Sequence, residues 1–199
     1  MPFNIINQKK AITLMELLIA VSLVGLLSIG MWSIDLFSRH QLMTSDRRAR
    51  VQNEASFALE HMAKEIIKAI GDKDNPAVST AAIASDTAIR IYVDLASDGQ
   101  SPGDGQRGTS GDRWRAYRYR GAGAPASSRY QIWYYPNYIN PSSTYEVISK
   151  KISYFAPTAI DNYVNIDLKS RYDPSADVTI DNPQVEMRVN LKMPAVSTN

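Results

Sequence analysis

A single glutamate lies inside the most apolar stretch of the sequence. Lys9 and Lys10 precede this stretch, Glu16 lies within it, and residues 17–34 then contribute 18 positions without a charge. Because a charged side chain at the middle of a membrane-spanning helix costs roughly 2.5 kcal/mol or more, a carboxylate in such a segment marks a functional site by default. In a membrane, Glu16 therefore needs a cationic partner or a proton.

The apolar stretch is long enough to cross a bilayer as a helix. Eighteen residues at about 1.5 Å each extend roughly 27 Å, which is close to the hydrocarbon thickness. Two simpler interpretations compete: a plain single-span anchor, and a secretory signal peptide cut near Ser28-Ile29-Gly30. Glu16 argues against the signal peptide, because a carboxylate weakens its apolar core.

The basic leader, the apolar run and the carboxylate together resemble the class III signal of type IV prepilins and type II secretion pseudopilins. The match extends to Thr13, Leu14, Leu17, Leu18, Ile19 and Gly25. The resemblance implies that a prepilin peptidase cuts between Ala11 and Ile12, that Ile12 is then N-methylated, and that Glu16 becomes the fifth residue of the mature chain. Ala11 stands where the family usually has Gly, and Ile12 where it usually has Phe.

The same resemblance implies a function in filament assembly. It suggests that Glu16 pairs with the methylated amine of Ile12 in an adjacent subunit, since an unpaired charge in a low-dielectric bundle costs several kcal/mol. A proton on Glu16 is the alternative to this pairing. The implied partners are prepilin peptidase, other pilin or pseudopilin subunits and the inner membrane.

The resemblance also implies a single-pass inner-membrane protein whose C-terminal domain is periplasmic or extracellular, and which is assembled in a filament. The distribution of positive charge predicts the opposite orientation, because the more basic flank of a span is usually cytoplasmic. Lys9 and Lys10 precede the span, whereas Arg39, Arg47, Arg48 and Arg50 follow it. We follow the resemblance, since residues 47–50 on a helix would lie clear of the membrane.

The composition limits the remaining possibilities. The chain has 199 residues, and the part after the apolar run is long enough for one domain. Without the leader, basic and acidic residues are equal in number, so bulk charge gives no reason to expect a nucleic-acid partner. The absence of cysteine excludes disulfides and thiolate chemistry.

A helical pattern continues beyond the apolar stretch. Apolar residues recur there at three- and four-residue steps until Gly71, Asn75 and Pro76 end the pattern. We predict one long helix from about residue 12 to residue 70, or two helices with a break near 38–45. The apolar stripe consists of Val51, Ala55, Ala58, Leu59, Met62, Ile66, Ala69 and Ile70.

Alternating polarity predicts strands in the rest of the chain. The clearest is the last, in which Val185, Met187, Val189, Leu191 and Met193 share one face and polar residues the other. The earlier predicted strands cover 88–94, 113–120, 130–135, 147–155 and 163–168. The fold class is therefore α+β, a long N-terminal helix with a transmembrane first half and an amphipathic second half, packed on an antiparallel β-sheet.

These patterns divide the chain into four parts. They are a prepilin leader (1–11), a transmembrane and filament-core helix (12–37), an amphipathic helix (38–71) and a β-rich globular head (72–199). Residues 51–66 look like the corresponding part of PilW-type minor pilins and J-type minor pseudopilins, and Ser33 replaces the proline of many major pilins. The leading hypothesis is a minor pilin or pseudopilin; the alternative is a single-span membrane-anchored binding domain that does not polymerise.

A glycine-rich loop between two predicted strands concentrates carboxylates. Asp94, Asp98, Asp104 and Asp112 offer the oxygen ligands that Ca²⁺ takes from flexible loops. The family resemblance adds that some pseudopilins bind calcium. The spacing is not that of an EF-hand, so calcium binding and ordinary solvated turns both stay open, and we expect no other cofactor.

No catalytic pattern is recognisable, neither a Ser–His–Asp constellation, nor HExxH, nor a phosphate-binding glycine loop. We therefore expect a non-enzymatic protein. His61 fits a surface or boundary position on the amphipathic helix. The tyrosines and arginines of residues 113–138 are compatible with stacking on nucleic-acid bases, but ordinary strand aromatics explain them better.

Overall fold

The computed structural model describes residues 13–71, 75–96, 103, 105, 107–108, 111–160 and 162–193. These residues form one α-helix and eight β-strands. The chain divides into two compact units, Met1–Met43 and Thr44–Asn199. The first unit contains the apolar part of the helix, and the second contains the rest of the helix and all of the described strands.

Helix α1, Leu14–Ile66, is a single uninterrupted helix. The prediction of one long helix is confirmed, and the alternative break near 38–45 does not occur. The helix ends four positions before the predicted residue 70, because the backbone changes there to hydrogen bonds that span three residues. The N–H of Ala69 donates to the carbonyl of Ile66 at 3.1 Å. The N–H of Ile70 donates to the carbonyl of Tyr92 at 2.9 Å, which turns the chain onto the sheet.

The strands form two antiparallel sheets instead of the single predicted sheet. One has five strands in sequential order and the other has three, also in sequential order. The five-stranded sheet comprises β1 (Val78–Ser79), β2 (Ala88–Val93), β3 (Arg113–Arg120), β4 (Gln131–Tyr135) and β5 (Glu146–Ser149). The three-stranded sheet comprises β6 (Ile152–Ile160), β7 (Tyr163–Arg171) and β8 (Gln184–Lys192).

The predicted strand over 147–155 is wrong, because the chain changes sheets within it. Strand β5 ends at Ser149 and β6 begins at Ile152. Both residues are buried, yet they are three positions apart, and one uninterrupted strand would place them on opposite faces. Hydrogen bonds fix the break: the Ser149 hydroxyl donates to Glu54 Oε2 at 2.8 Å, and the Ile152 N–H donates to the Tyr130 carbonyl at 3.0 Å.

The predicted apolar stripe is confirmed, since all eight of its residues are buried, although Ala69 and Ile70 lie just beyond the end of α1. Most of them belong to one core cluster that includes residues from both sheets. Ile89, Ile91, Val93, Tyr117 and Ile132 contribute from the five-stranded sheet, and Val164, Ile166 and Leu168 from the three-stranded sheet. Within residues 44–199, the second half of α1 therefore joins two sheets that share no strand.

Truncation of Met62 tests this core. Met62 is 0% exposed, so Met62→Ala leaves a cavity and should lower the free energy of unfolding by about 2–5 kcal/mol. Phe57 on the same helix is 54% exposed, and Phe57→Ala should cost much less. Urea unfolding of the detergent-solubilised full chain measures both, and equal losses for the two variants would contradict the burial described.

Candidate functional site

The Glu16 carboxylate lies in the first turn of α1 and has a hydrogen-bonding partner in its own chain. The N–H and the hydroxyl of Thr13 both donate to Glu16 Oε2, at 2.9 and 3.0 Å. In return, the N–H of Glu16 donates to Thr13 Oγ1 at 3.2 Å. This reciprocal arrangement is a capping box, which satisfies backbone donors that the first turn of a helix leaves without partners.

The expectation of a cation or a proton as the partner of Glu16 omits this local partner. The signal was present, because Thr13-Leu14-Met15-Glu16 is a Thr followed three positions later by Glu, directly before an apolar run. Within the part of the chain that the structure describes, no Lys, Arg or His side chain forms an ion pair with Glu16. The capping box therefore supplies hydrogen bonds but no cation.

Two of the predicted site residues, Ala11 and Ile12, lie outside the described residues. Leader cleavage between them and N-methylation of Ile12 stay predictions. The first described residue is Thr13, which immediately precedes α1.

The first half of α1 is apolar and exposed over its whole circumference. Among the described residues, α1 is the one helix long and apolar enough to cross a membrane, judged by length and composition. An 18-residue stretch of it has a mean hydropathy of 2.2, and none of that stretch is buried. The hydroxyls of Ser22, Ser28 and Ser33 donate to the carbonyls four residues earlier, at 2.8 to 3.0 Å. These bonds satisfy the polar groups internally, as an apolar environment requires.

The acidic loop uses its carboxylates to hold its own backbone. Asp94 Oδ2 accepts from the N–H of Gly105 at 2.9 Å. Asp112 accepts from the N–H groups of Leu95, at 3.1 Å, and Gly108, at 2.8 Å. These contacts are those of turns stabilised by aspartate side chains.

Two other candidate calcium ligands, Asp98 and Asp104, lie outside the described residues. Among the residues that are described, no group of three or more His, Asp or Glu side chains is placed to hold a metal ion. Calcium binding by Asp94, Asp98, Asp104 and Asp112 stays a prediction.

A buried polar cluster lies between the second half of α1 and the five-stranded sheet. His61 Nδ1 lies 2.8 Å from the hydroxyl of Tyr117, which also donates to the His61 carbonyl at 3.2 Å. Glu65 is buried and forms an ion pair with Arg115 of β3. The ring of Tyr134 packs edge-on against His61, with centroids 4.7 Å apart.

Burial controls the protonation of this cluster. It lowers the pKa of His61, and the carboxylates of Glu65 and Glu146 oppose the shift only in part. Burial also raises the pKa of Tyr117 and raises that of Tyr134 to about 12. The imidazole and both phenols are therefore neutral at physiological pH, and the half-buried His61 occupies the boundary position that the sequence predicts.

Several aromatic and basic residues of 113–138 belong to the interior. Tyr117, Tyr134 and Tyr135 are buried, which confirms the interpretation as strand aromatics for these three. Arg118 and Arg120 both lie 2.6 Å from the Asp86 carboxylate. These guanidinium groups already have a carboxylate partner within the head, as does that of Arg115.

No protein-family model, no curated protein and no solved structure matches this chain. The functional interpretation therefore depends on the start of α1, on its apolar surface and on the surface of the β-rich unit.

The pKa of His61 predicts a pH dependence of stability. The folded state disfavours the charged imidazole, so below about pH 6.5 the unfolded chain binds more protons than the folded chain. Stability should thus be full above that pH and fall as the pH decreases. Urea unfolding at pH 7.5 and pH 5 measures the loss, and His61→Gln should lose less than the native chain over the same range. Identical losses in both proteins would show that His61 does not contribute.

Proposed function

We propose that this chain is a minor pilin or pseudopilin, a non-enzymatic structural subunit of a type IV filament. In this proposal a prepilin peptidase trims it, and it assembles through the first half of α1 with other pilin or pseudopilin subunits. The observation that carries the proposal is the carboxylate of Glu16 at the start of a helical segment that is otherwise apolar and exposed on all sides. Such a surface requires lipid before assembly and neighbouring helices after it.

The charge of Glu16, which meets no cationic side chain among the described residues, supports pairing between subunits. Both hydrogen bonds that its side chain accepts from Thr13 fall on Oε2, and neither brings a positive charge. An unpaired buried charge costs several kcal/mol, so a correctly placed cation fixes the position of one subunit relative to the next. The amine of a processed Ile12 in a neighbouring subunit has the required charge.

We place the protein in the inner membrane with a single span and the unit Thr44–Asn199 on the periplasmic or extracellular side. The arginine-rich flank is compatible with this orientation. Arg47 donates to the carbonyl of Asp181 at 2.7 Å and forms an ion pair with its carboxylate. Arg50 forms an ion pair with Asp46 at 2.9 Å. Since both arginines are engaged by carboxylates, the positive charge that this flank offers to the cytoplasmic side is reduced.

A second candidate is a single-span membrane-anchored binding domain that does not polymerise. The capping box favours it, because it gives the Glu16 side chain a structural role at the helix start without a second subunit. The two candidates differ in whether residue 16 acts through its charge or through its hydrogen bonds.

Leader cleavage tests the first candidate. Co-expression with an active prepilin peptidase should shorten the chain by eleven residues and leave a methylated N-terminus at Ile12, as measured by intact mass. An inactive peptidase serves as the control. If the chain keeps its full-length mass while the same peptidase fully processes a reference prepilin, the proposal is contradicted.

Substitutions at Glu16 separate charge from capping. Glu16→Gln retains the capping hydrogen bonds but removes the charge, whereas Glu16→Ala removes both. If the charge pairs between subunits, both variants should reduce incorporation into sheared filaments by roughly tenfold or more. Thr13→Ala, which removes the cap but keeps the charge, should be incorporated normally. Membrane fractionation and intact mass verify that insertion and cleavage are unchanged. Normal incorporation of Glu16→Gln would show that only capping matters.

A further inference from the structure

Strand β8 forms an edge of the three-stranded sheet, and in the described part of the chain no strand pairs with its outer side. All nine of its residues pair with β7 in continuous register. Hydrogen bonds just beyond each end of β8 show which of its residues direct their backbone groups toward β7. The N–H of Tyr172 donates to the carbonyl of Pro183 at 3.2 Å, and the N–H of Met193 donates to the carbonyl of Asn162 at 2.8 Å.

In antiparallel pairing, alternate residues of an edge strand direct their backbone groups away from the sheet. Since positions 183 and 193 face β7, the even-numbered positions of β8 direct their N–H and C=O groups outward. Throughout the described residues, no hydrogen bond is recorded for these outward groups. The exposed residues of this set are Glu186, Arg188, Asn190 and Lys192.

The opposite edge of the same sheet carries a register shift and a proline that oppose strand addition, whereas β8 has only its exposed charged side chains. Strand β6 has a register shift between Ile152 and Tyr154 and contains Pro157, which lacks an N–H. Bulges and prolines are the usual means of protecting a sheet edge. Strand β8 contains neither, and its core-facing side chains carry no charge.

The core-facing side of β8 is also incompletely covered. Val164, Ile166 and Leu168 of β7 are at most 1% exposed. Their partners on β8 are only half-buried, although they pack against the same core. These partners are Leu191, Val189 and Met187. One further strand beside β8 would cover them.

We infer that β8 docks against β8 of a second copy of this chain, in antiparallel pairing centred on Val189. This register places Glu186 of each copy opposite Lys192 of the other, and Met187 opposite Leu191. It preserves the alternation, so charged residues share the outer face and apolar residues the inner one. Opposite charges directly across a pair of strands stabilise it.

Charge selects this register over the adjacent one. Pairing centred on Arg188 would place that residue opposite its own copy, and like charges directly across strands are unfavourable. Glu186 already contacts Lys169 at 2.5 Å within the chain. Lys192, in contrast, has no carboxylate within ion-pair distance among the described residues, so the second copy supplies its partner.

A two-fold contact closes on itself and does not propagate. Docking of β8 is therefore separate from the contacts that would build a filament, and it holds or fails independently of the proposed function.

Disulfide trapping tests the register, because the chain contains no cysteine of its own. In the full chain in detergent or in membrane vesicles, mild oxidation should convert the double variant Glu186→Cys/Lys192→Cys into a covalent dimer. Directly opposed residues have Cα atoms about 5.5 Å apart, within the range for a disulfide. Six positions along one strand span about 20 Å, so the two cysteines of a single chain cannot join.

The single variants are the matched controls. In the inferred register, Glu186→Cys alone or Lys192→Cys alone leaves each cysteine about 20 Å from its own copy, and neither should form the dimer. A monomeric double variant would overturn the inference. Equal trapping by either single variant, or a mixed disulfide with a different protein in place of the dimer, would overturn it as well.

A charge exchange gives an independent readout. Glu186→Lys alone and Lys192→Glu alone should each abolish dimerisation, because each puts like charges opposite one another. Analytical ultracentrifugation in detergent measures this. The combined variant should restore dimerisation. Both residues are exposed, so circular dichroism should show an unchanged fold. A dimer that survives either single change, or that fails to return in the combined variant, would exclude the inferred register.

Discussion

Packing of the apolar stripe of α1 is the interaction on which the folded unit Thr44–Asn199 depends. The two sheets share no strand, and residues of both contact the same cluster around Ala55, Met62 and Ile66. The chain contains no cysteine, so no disulfide can replace this packing. Without the stripe, each sheet would expose one apolar face to water.

The same helix imposes a different constraint at its other end. Residues 14–43 expose apolar side chains in every direction and are joined by a continuous helix to a unit with a well-formed core. Their apolar surface suits lipid or another apolar environment, because water provides no favourable contact for so large an apolar surface. In such an environment the Glu16 charge would be costly, whereas in water its cost would be small.

Within the folded unit, most residues capable of chemistry are engaged in internal contacts. Glu65 pairs with Arg115, and Asp86 pairs with Arg118 and Arg120. The tyrosines of β3 and β4 supply buried volume more than exposed stacking surface. These contacts leave the backbone of β8 as the most evident free recognition surface among the described residues.

The sequence by itself determined the elements that depend on local periodicity. The steps of three and four residues specified the eight buried positions of the stripe, the alternation from Val185 onward specified the two faces of β8, and the uncharged run specified the apolar helix. The capping box of Thr13 and Glu16 is equally local and can be read from the sequence, although the expectation for Glu16 named only a cation or a proton. The division of 147–155 between two sheets was decided only by the tertiary structure. That break depends on Ser149 meeting Glu54, 95 positions away along the chain, and local periodicity carries no information about a contact at that separation.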